Sequence, residues 1–259
     1  MKIKKIRRTK KCLIFAHRGA NREAAENTSH AFDKALEYPI DGIETDVQLT
    51  RDEVPVLWHD RFLDRLGMPS KHIDNFDYAQ LKKFDFTGNF LIYSDNGSIR
   101  ESIMTLQEFL DAYRNDCRLL IEIKNREWEP PYRHEIKVRK TLEMVASPVD
   151  DSIMVSSFDL DSLITAHQRE PGIPLIYNFE EDQTIEDARQ VLSTQPYLFG
   201  LCLPIATINK SIVKLIHNDD KYVATYTCNS DDEISKALEL KVDIIISDVP
   251  QKALQMRGG

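Results

Sequence analysis

The chain has 259 residues, 42% of them apolar, with 34 basic against 42 acidic side chains and a formal charge of −8. This is the composition of a globular protein, and it excludes a disordered, collagen-like or coiled-coil chain. No apolar run approaches the ~20 residues of a membrane span, and a net acidic chain is a poor binder of nucleic acid, whose phosphates need clustered Lys and Arg.

Residues 1–11 carry seven basic side chains and no acid. The apolar run Cys12–Ala16 that follows is too short for the ~7–15-residue core of a secretory signal, and His17 and Arg18 interrupt it. The segment reads as a solvated arm leading into a first buried strand, with recruitment to anionic surfaces as the alternative. The four cysteines, Cys12, Cys117, Cys202 and Cys228, show neither Cys-x-x-Cys nor zinc-ligand spacing. They suit a reducing, cytoplasmic setting, where cysteine serves as a small hydrophobe.

From there short β-branched runs alternate with helix-period segments. Strands are expected at Leu13–His17, Gly42–Leu49, Leu119–Lys124, Ile153–Phe158, Leu175–Asn178, Phe199–Leu203, Tyr222–Cys228 and Asp243–Asp248. Helices are expected at Asn27–Tyr38, Leu106–Arg114, Arg133–Val145, Leu160–Arg169, Ile185–Leu192, Lys210–Asn218, Asp231–Leu240 and Gln251–Met256. Eight strands, each followed by a helix, make the count of a (β/α)8 TIM barrel. A doubly wound sheet is the competing architecture, but the first turn, His17-Arg18-Gly19-Ala20, lacks its glycine fingerprint. With no linker and no repeat, residues 1–259 read as one domain.

Residues 61–104 break the rhythm. They separate the second strand from its helix, and hold turn signals at Gly67-Met68-Pro69 and Asp95-Asn96-Gly97 and one helix-like piece at Tyr78–Phe84. An insertion after a barrel strand falls on the face where active sites are built, so a lid or side wall is expected rather than an independent fold.

Barrel strands are covered on both sides and should be almost continuously apolar. Glu44 and Asp46 violate this late in the second strand, and the two-residue period puts both on one face. Glu122 and Lys124 do the same at the end of the third, while Leu119, Ile121 and Ile123 face the helices. Three converging carboxylates need compensating charge. A divalent ion on Glu44, Asp46 and Glu122 would supply it, and an all-oxygen set suits Mg²⁺ or Ca²⁺. A buried ion-pair network with Arg18 and Lys124 is the other reading. His17 ends the first strand, and His59 ends the run Val54–Trp58, which a turn at residues 51–53 returns to the same mouth. Two imidazoles beside such a cluster suit general acid–base work. His30, His72, His134, His167 and His217 fall on helices or in the insertion, as surface or packing residues.

The blocks Phe15-Ala16-His17-Arg18-Gly19, Glu26-Asn27-Thr28, Gly42–Val47 and Val54–Asp60 together resemble the signature of the glycerophosphodiester phosphodiesterases. Ile121–Lys124, Ser156-Ser157-Phe158, Tyr226–Asn229 and Ile245–Pro250 follow in that family's order, so the likeness spans nearly the whole chain. It implies a barrel with a small insertion after the second strand and hydrolysis of glycerophosphodiesters to sn-glycerol 3-phosphate and an alcohol. It also implies His17 and His59 as the acid–base pair, Glu44, Asp46 and Glu122 as metal ligands, and Arg18 and Lys124 on the phosphate. Departures from the family pattern are Ala25 and Met104 for proline, Tyr226 for tryptophan, Ser247 for threonine and Lys241 for glycine. Tyr226 is expected to line the alcohol pocket.

Of the remaining residues, Asn27 and Thr28 are expected to start a helix, with an N-cap role weighed against substrate contact. Asp52 is expected to stabilise the 51–53 turn, Asp60 to orient His59 or serve the turn, Trp58 to pack in the core, and Asp248 to cap the last helix. A lysophospholipase D- or sphingomyelinase D-like activity on the same barrel is the alternative function. It would need an apolar mouth, for which Phe84, Phe86, Phe90, Leu91 and Ile92 are candidates unless they pack the insertion. A non-catalytic binding module is the third reading, disfavoured because both histidines and all three carboxylates are present.

Overall fold

Side chains alternate strictly along the first strand: Ile14 packs outward toward helices, whereas Leu13 and Phe15 fill the interior of a closed cylinder. A computed structural model of the chain describes residues 11–88, 90, 92–94, 97–125, 129–146 and 152–258. The strands are β1 (Leu13–His17), β2 (Gly42–Leu49), β3 (Pro55–Leu57), β4 (Ile92–Ser94), β5 (Gly97–Ile99), β6 (Arg118–Ile123), β7 (Ile153–Ser157), β8 (Leu175–Asn178), β9 (Gly200–Pro204), β10 (Tyr222–Tyr226) and β11 (Ile244–Ser247). The helices are α1 (Ser29–Leu36), α2 (Tyr78–Leu81), α3 (Leu106–Tyr113), α4 (Pro131–Val145), α5 (Leu160–Arg169), α6 (Ile185–Thr194), α7 (Lys210–Asn218), α8 (Asp231–Leu240) and α9 (Pro250–Arg257).

Parallel pairing runs β1-β2-β6-β7-β8-β9-β10-β11 and returns to β1, which closes a (β/α)8 TIM barrel. The other strands lie outside this ring. β3 pairs antiparallel with β2, Val47 opposite Leu57, and so carries the chain back to the top of β2. β4 and β5 form a separate hairpin.

The interior has two levels. Leu13, Phe15, Leu120, Met154, Ile176, Cys202, Ala224, Ile244 and Ile246 make an apolar floor. Two residues further along these strands, on the same face, stand His17, Glu122, Ser156, Asn178, Tyr226 and Asp248. On β2 the floor position is Gly42, and Glu44 and Asp46 follow it. A methyl group on Gly42 would lie 2.4 Å from the Phe15 ring, so the glycine is what lets that phenyl fill the floor. The outer layer is larger, with Ile43, Val47, Leu119, Ile121 and Ile123 packed against the apolar faces of the helices.

The segment after β3 gathers around Val56, Trp58, Leu63, Ile73, Leu81, Phe86 and Ile103. Phe86 meets the edge of Trp58 at 5.5 Å, and Phe84 meets Phe76 at 5.2 Å. Both therefore pack within the segment rather than forming an apolar mouth. The basic segment 1–10, Leu91 and the Asp95-Asn96 turn lie outside the described residues, as does the side chain of Ile92.

Most element boundaries match the periodicity to within a few residues. α1 starts at Ser29 because Thr28 is its N-cap, its hydroxyl accepting from the Ala31 amide, while Asn27 sits at φ +58° and turns its side chain inward. α9 begins at Pro250 behind Val249, which makes no side-chain cap. Asp248 is thus not the cap expected from its place before Val249-Pro250. Asp52 does serve its turn, accepting from the Thr50 hydroxyl and the Tyr78 amide. The four cysteines are free thiols, and among the described residues no helix is long and apolar enough to cross a membrane.

Two substitutions test this packing. Lys241 closes α8 in the left-handed conformation at φ +59°, which favours glycine. Lys241→Gly should raise unfolding stability by about 0.5–1 kcal/mol in urea denaturation. Gly42→Ala should lower it by about 1–3 kcal/mol through overpacking against Phe15. An unchanged urea midpoint for Gly42→Ala would contradict the tight floor.

Candidate active site

The upper level of the barrel concentrates charge on β1, β2 and β6. His17, at the end of β1, uses Nδ1 to donate to Asp248 Oδ1 at 2.6 Å. That carboxylate also accepts from Asn21 Nδ2 (2.7 Å) and Asn229 Nδ2 (2.8 Å), and pairs with Arg22 at 3.0 Å. Burial opposes charge on Asp248, but His17, Asn21 and Arg22 outweigh it and hold the carboxyl well below the usual range. His17 itself is shifted down, by burial and then by the neighbouring Arg18, against the pull of Asp248. Its other nitrogen, Nε2, lies 3.9 Å from Glu44 Oε2.

Behind it sits the acidic cluster. Asp46 is fully buried and held on several sides: by Arg18 Nε at 3.1 Å, Lys124 Nζ at 3.0 Å and Asn27 Nδ2 at 3.0 Å. Asn27 in turn accepts from the Thr45 hydroxyl. Lys124 Nζ also meets Glu122 Oε1 at 2.5 Å. Burial works against the charge of Asp46, yet Lys124 and Arg18 overcome it and keep its carboxyl well below the ordinary range. Glu44 goes the other way. Burial, reinforced by Asp46 and Glu122, pushes its carboxyl well up, and its Oε2 is buried with no hydrogen-bond partner.

Both readings of the sequence therefore have a physical counterpart. Arg18 and Lys124 form the ion-pair network, but they offset the burial of Glu44 only in part. One oxygen from each of Glu44, Asp46 and Glu122 lies within 4.8 Å of the others, so the three can hold a metal ion. The orphaned Glu44 oxygen and the hard, all-carboxylate donor set fit a divalent cation.

His59 arrives from outside the ring, after β3. Gln48 Nε2 donates to the carbonyls of Trp58, His59 and Asp60, which fixes this turn on the end of β2. The imidazole Nδ1 meets Asp60 Oδ1 at 2.9 Å, and Asp60 Oδ2 meets Arg65 Nε at 2.7 Å. Arg65 reaches Glu26 at 2.6 Å, Glu26 meets Arg18 at 3.1 Å, and Arg18 returns to Asp46. A continuous polar chain thus links the two ends of the site.

These groups surround a cavity of about 170 Å³. His17, Arg18, Glu44, His59, Glu122, Lys124 and Tyr226 all line it, and Asp46 sits just behind its wall. Leu120, Cys202 and Ile246 form its base, with Ser156 and Asn178 at the side. Tyr226 donates its hydroxyl to the Phe179 carbonyl at 2.6 Å and sets its ring edge-on to Phe158. The eight residues singled out from the sequence converge here. His72, His134, His167 and His217 are engaged elsewhere, with the Arg61 carbonyl, Glu129, Tyr197 and Asp243 respectively.

Sequence reasoning missed Asp248 and Arg65. The rule that exposed the other acids, a charge on the inward face at a strand end, would have found Asp248. Nothing local marks Arg65, whose partners lie at positions 26 and 60.

Comparison with known proteins gives this arrangement a lineage. Residues 17–252 match the model of the glycerophosphoryl diester phosphodiesterase family. A glycerophosphodiester phosphodiesterase of Bacillus altitudinis is 33% identical over 247 residues, covering 94% of this chain and 97% of its own. Among solved structures, an Oleispira antarctica phosphodiesterase in complex with the product sn-glycerol-3-phosphate superimposes with a TM-score of 0.82 at 25% identity, covering 96% of this chain and 98% of its own. The barrel of a Thermotoga maritima glycerophosphodiester phosphodiesterase matches with a TM-score of 0.75 at 24% identity over 95% and 98% of the two chains. The chain belongs to the glycerophosphoryl diester phosphodiesterase family and is an enzyme of that class.

Proposed function

We propose that this phosphodiesterase hydrolyses glycerophosphodiesters to sn-glycerol 3-phosphate and an alcohol, with His17 and His59 as its acid–base pair. The observation that carries the reading is the pairing of two carboxylate-backed imidazoles around one cavity that also holds Lys124, Arg18 and the acidic cluster. An alkoxide is a poor leaving group, so one histidine delivers a proton to the departing oxygen while the other takes one from the attacking oxygen. Asp248 and Asp60 hold the Nδ1 side of each ring, so Nε2 is the nitrogen assigned to the transferred proton. Lys124 and Arg18 provide positive charge beside the non-bridging phosphoryl oxygens. Glu44, Asp46 and Glu122 would hold Mg²⁺ or Ca²⁺, which when bound withdraws charge from those oxygens. The small cavity favours a headgroup diester such as glycerophosphocholine or glycerophosphoethanolamine, and Phe84 and Phe86 offer no apolar mouth for an acyl chain.

His17→Ala and His59→Ala should each lower kcat/KM for glycerophosphocholine by about 10²–10⁴-fold while the far-ultraviolet circular dichroism stays unchanged. Near-normal turnover by either variant refutes the acid–base assignment. Chelation with EDTA should abolish hydrolysis, and Mg²⁺ or Ca²⁺ should restore it; full activity after chelation removes the metal from the scheme. A substrate panel separates the activities. Release of sn-glycerol 3-phosphate from glycerophosphodiesters is expected, whereas turnover of lysophospholipids alone would favour a lysophospholipase D.

A further inference from the structure

One wall of the cavity takes no part in the chemistry described above. Barrel order places β7 across the lumen from β11 and β8 across from β1, and their inward residues at the upper level are Ser156 and Asn178. Both line the cavity that holds His17, Lys124 and Glu122. Both are almost wholly buried, at 1% and 5% exposure. Asn178 Nδ2 donates to Ser156 Oγ at 3.4 Å, and Asn178 Oδ1 has no hydrogen-bond partner. A buried amide oxygen left unpaired is costly. The cost is recovered when a ligand hydroxyl donates to it.

The surroundings specify that ligand. Below the pair lie Leu120, Cys202 and Ile246, and the cavity is bounded above by Phe158 and Tyr226. The wall therefore offers an apolar bed for a short carbon chain and a polar edge for its hydroxyls. Lys124 stands at the phosphate end. At about 170 Å³ the cavity has room for a small phosphorylated polyol.

We infer that Asn178 and Ser156 form a hydroxyl-recognition subsite that binds the glycerol hydroxyls of the phosphoryl half retained in the product, and so set specificity for a glycerol over a simple alkyl diester. The inference rests on the hydrolysis of glycerophosphodiesters proposed above. Charge is absent from this wall, so discrimination there comes from hydrogen bonds. A site built to pair a hydroxyl rejects the analogue lacking it, because its own polar atoms are then left unsatisfied.

The test compares ligands that differ only in those hydroxyls. In isothermal titration calorimetry with Mg²⁺ supplied, the unmodified protein should bind sn-glycerol 3-phosphate at least about 10-fold more tightly than n-propyl phosphate. Asn178→Leu should weaken glycerol 3-phosphate about 10- to 100-fold and n-propyl phosphate less than about 3-fold. Ser156→Ala, which removes one oxygen and should fold even if Asn178→Leu does not, should produce the same selective loss at smaller size. Equal weakening of both ligands, a preference that survives both substitutions, or no preference in the unmodified protein would overturn the subsite. Failure of the unmodified protein to release glycerol 3-phosphate from diesters would overturn the proposed reaction instead, and the binding preference would stand without it.

Discussion

A buried carboxylate with several partners organises the top of this barrel. Asp46 has no exposed surface and is stable as an anion only because Arg18, Lys124 and Asn27 converge on it. Those three residues come from the loop after β1, the end of β6 and the turn into α1, so satisfying one charge sets the relative positions of three segments. The left-handed conformations of Arg18 and Asn27 fall where the chain must bend sharply to deliver these side chains. Glu44, two residues earlier on the same face, is left short of compensation by the same arrangement. Demand for a cation thus arises from how the local charges are shared out.

The two histidines are held in different ways. His17 belongs to the ring of strands, is backed by a carboxylate from the end of β11, and is tied to the loops after β1 and β10 through Asn21 and Asn229. His59 stands outside that ring and depends on β3 and on Arg65. Arg65 also lies 4.9 Å from the ring of Trp58, at the edge of the small core that organises the segment after β3. Packing in that segment is therefore coupled, through Arg65 and Asp60, to the orientation of His59. The coupling reaches Asp46 by way of Glu26 and Arg18.

The acids of the site were legible because they offend a simple rule. A barrel strand covered on both faces should carry no charge, so Glu44, Asp46 and Glu122 stood out. Asp248 obeys the same geometry but sits just before the valine and proline that open α9, and that local helix-start signal masked the tertiary one. Thr28 proved to be the cap while Asn27 turned inward, a choice between adjacent residues that propensity cannot make. Asn178, and Ser156 although it lies in a family block, drew no site role from the sequence for another reason. A neutral polar residue late in a strand is unremarkable until its neighbours across the lumen are known.

Sequence alone determined the eightfold alternation of strand and helix, the family signature and the identity of the charged strand ends, because each is written in periodicity or in a local block of residues. Only the tertiary structure decided which charges compensate which. Arg18 and Lys124 both go to Asp46, Glu44 is left over, Asp248 serves His17, and Arg65 serves Asp60. Closing the barrel brings strand ends that are distant in sequence to one mouth. There the cost of burying charge selects a single pairing out of several that composition would allow.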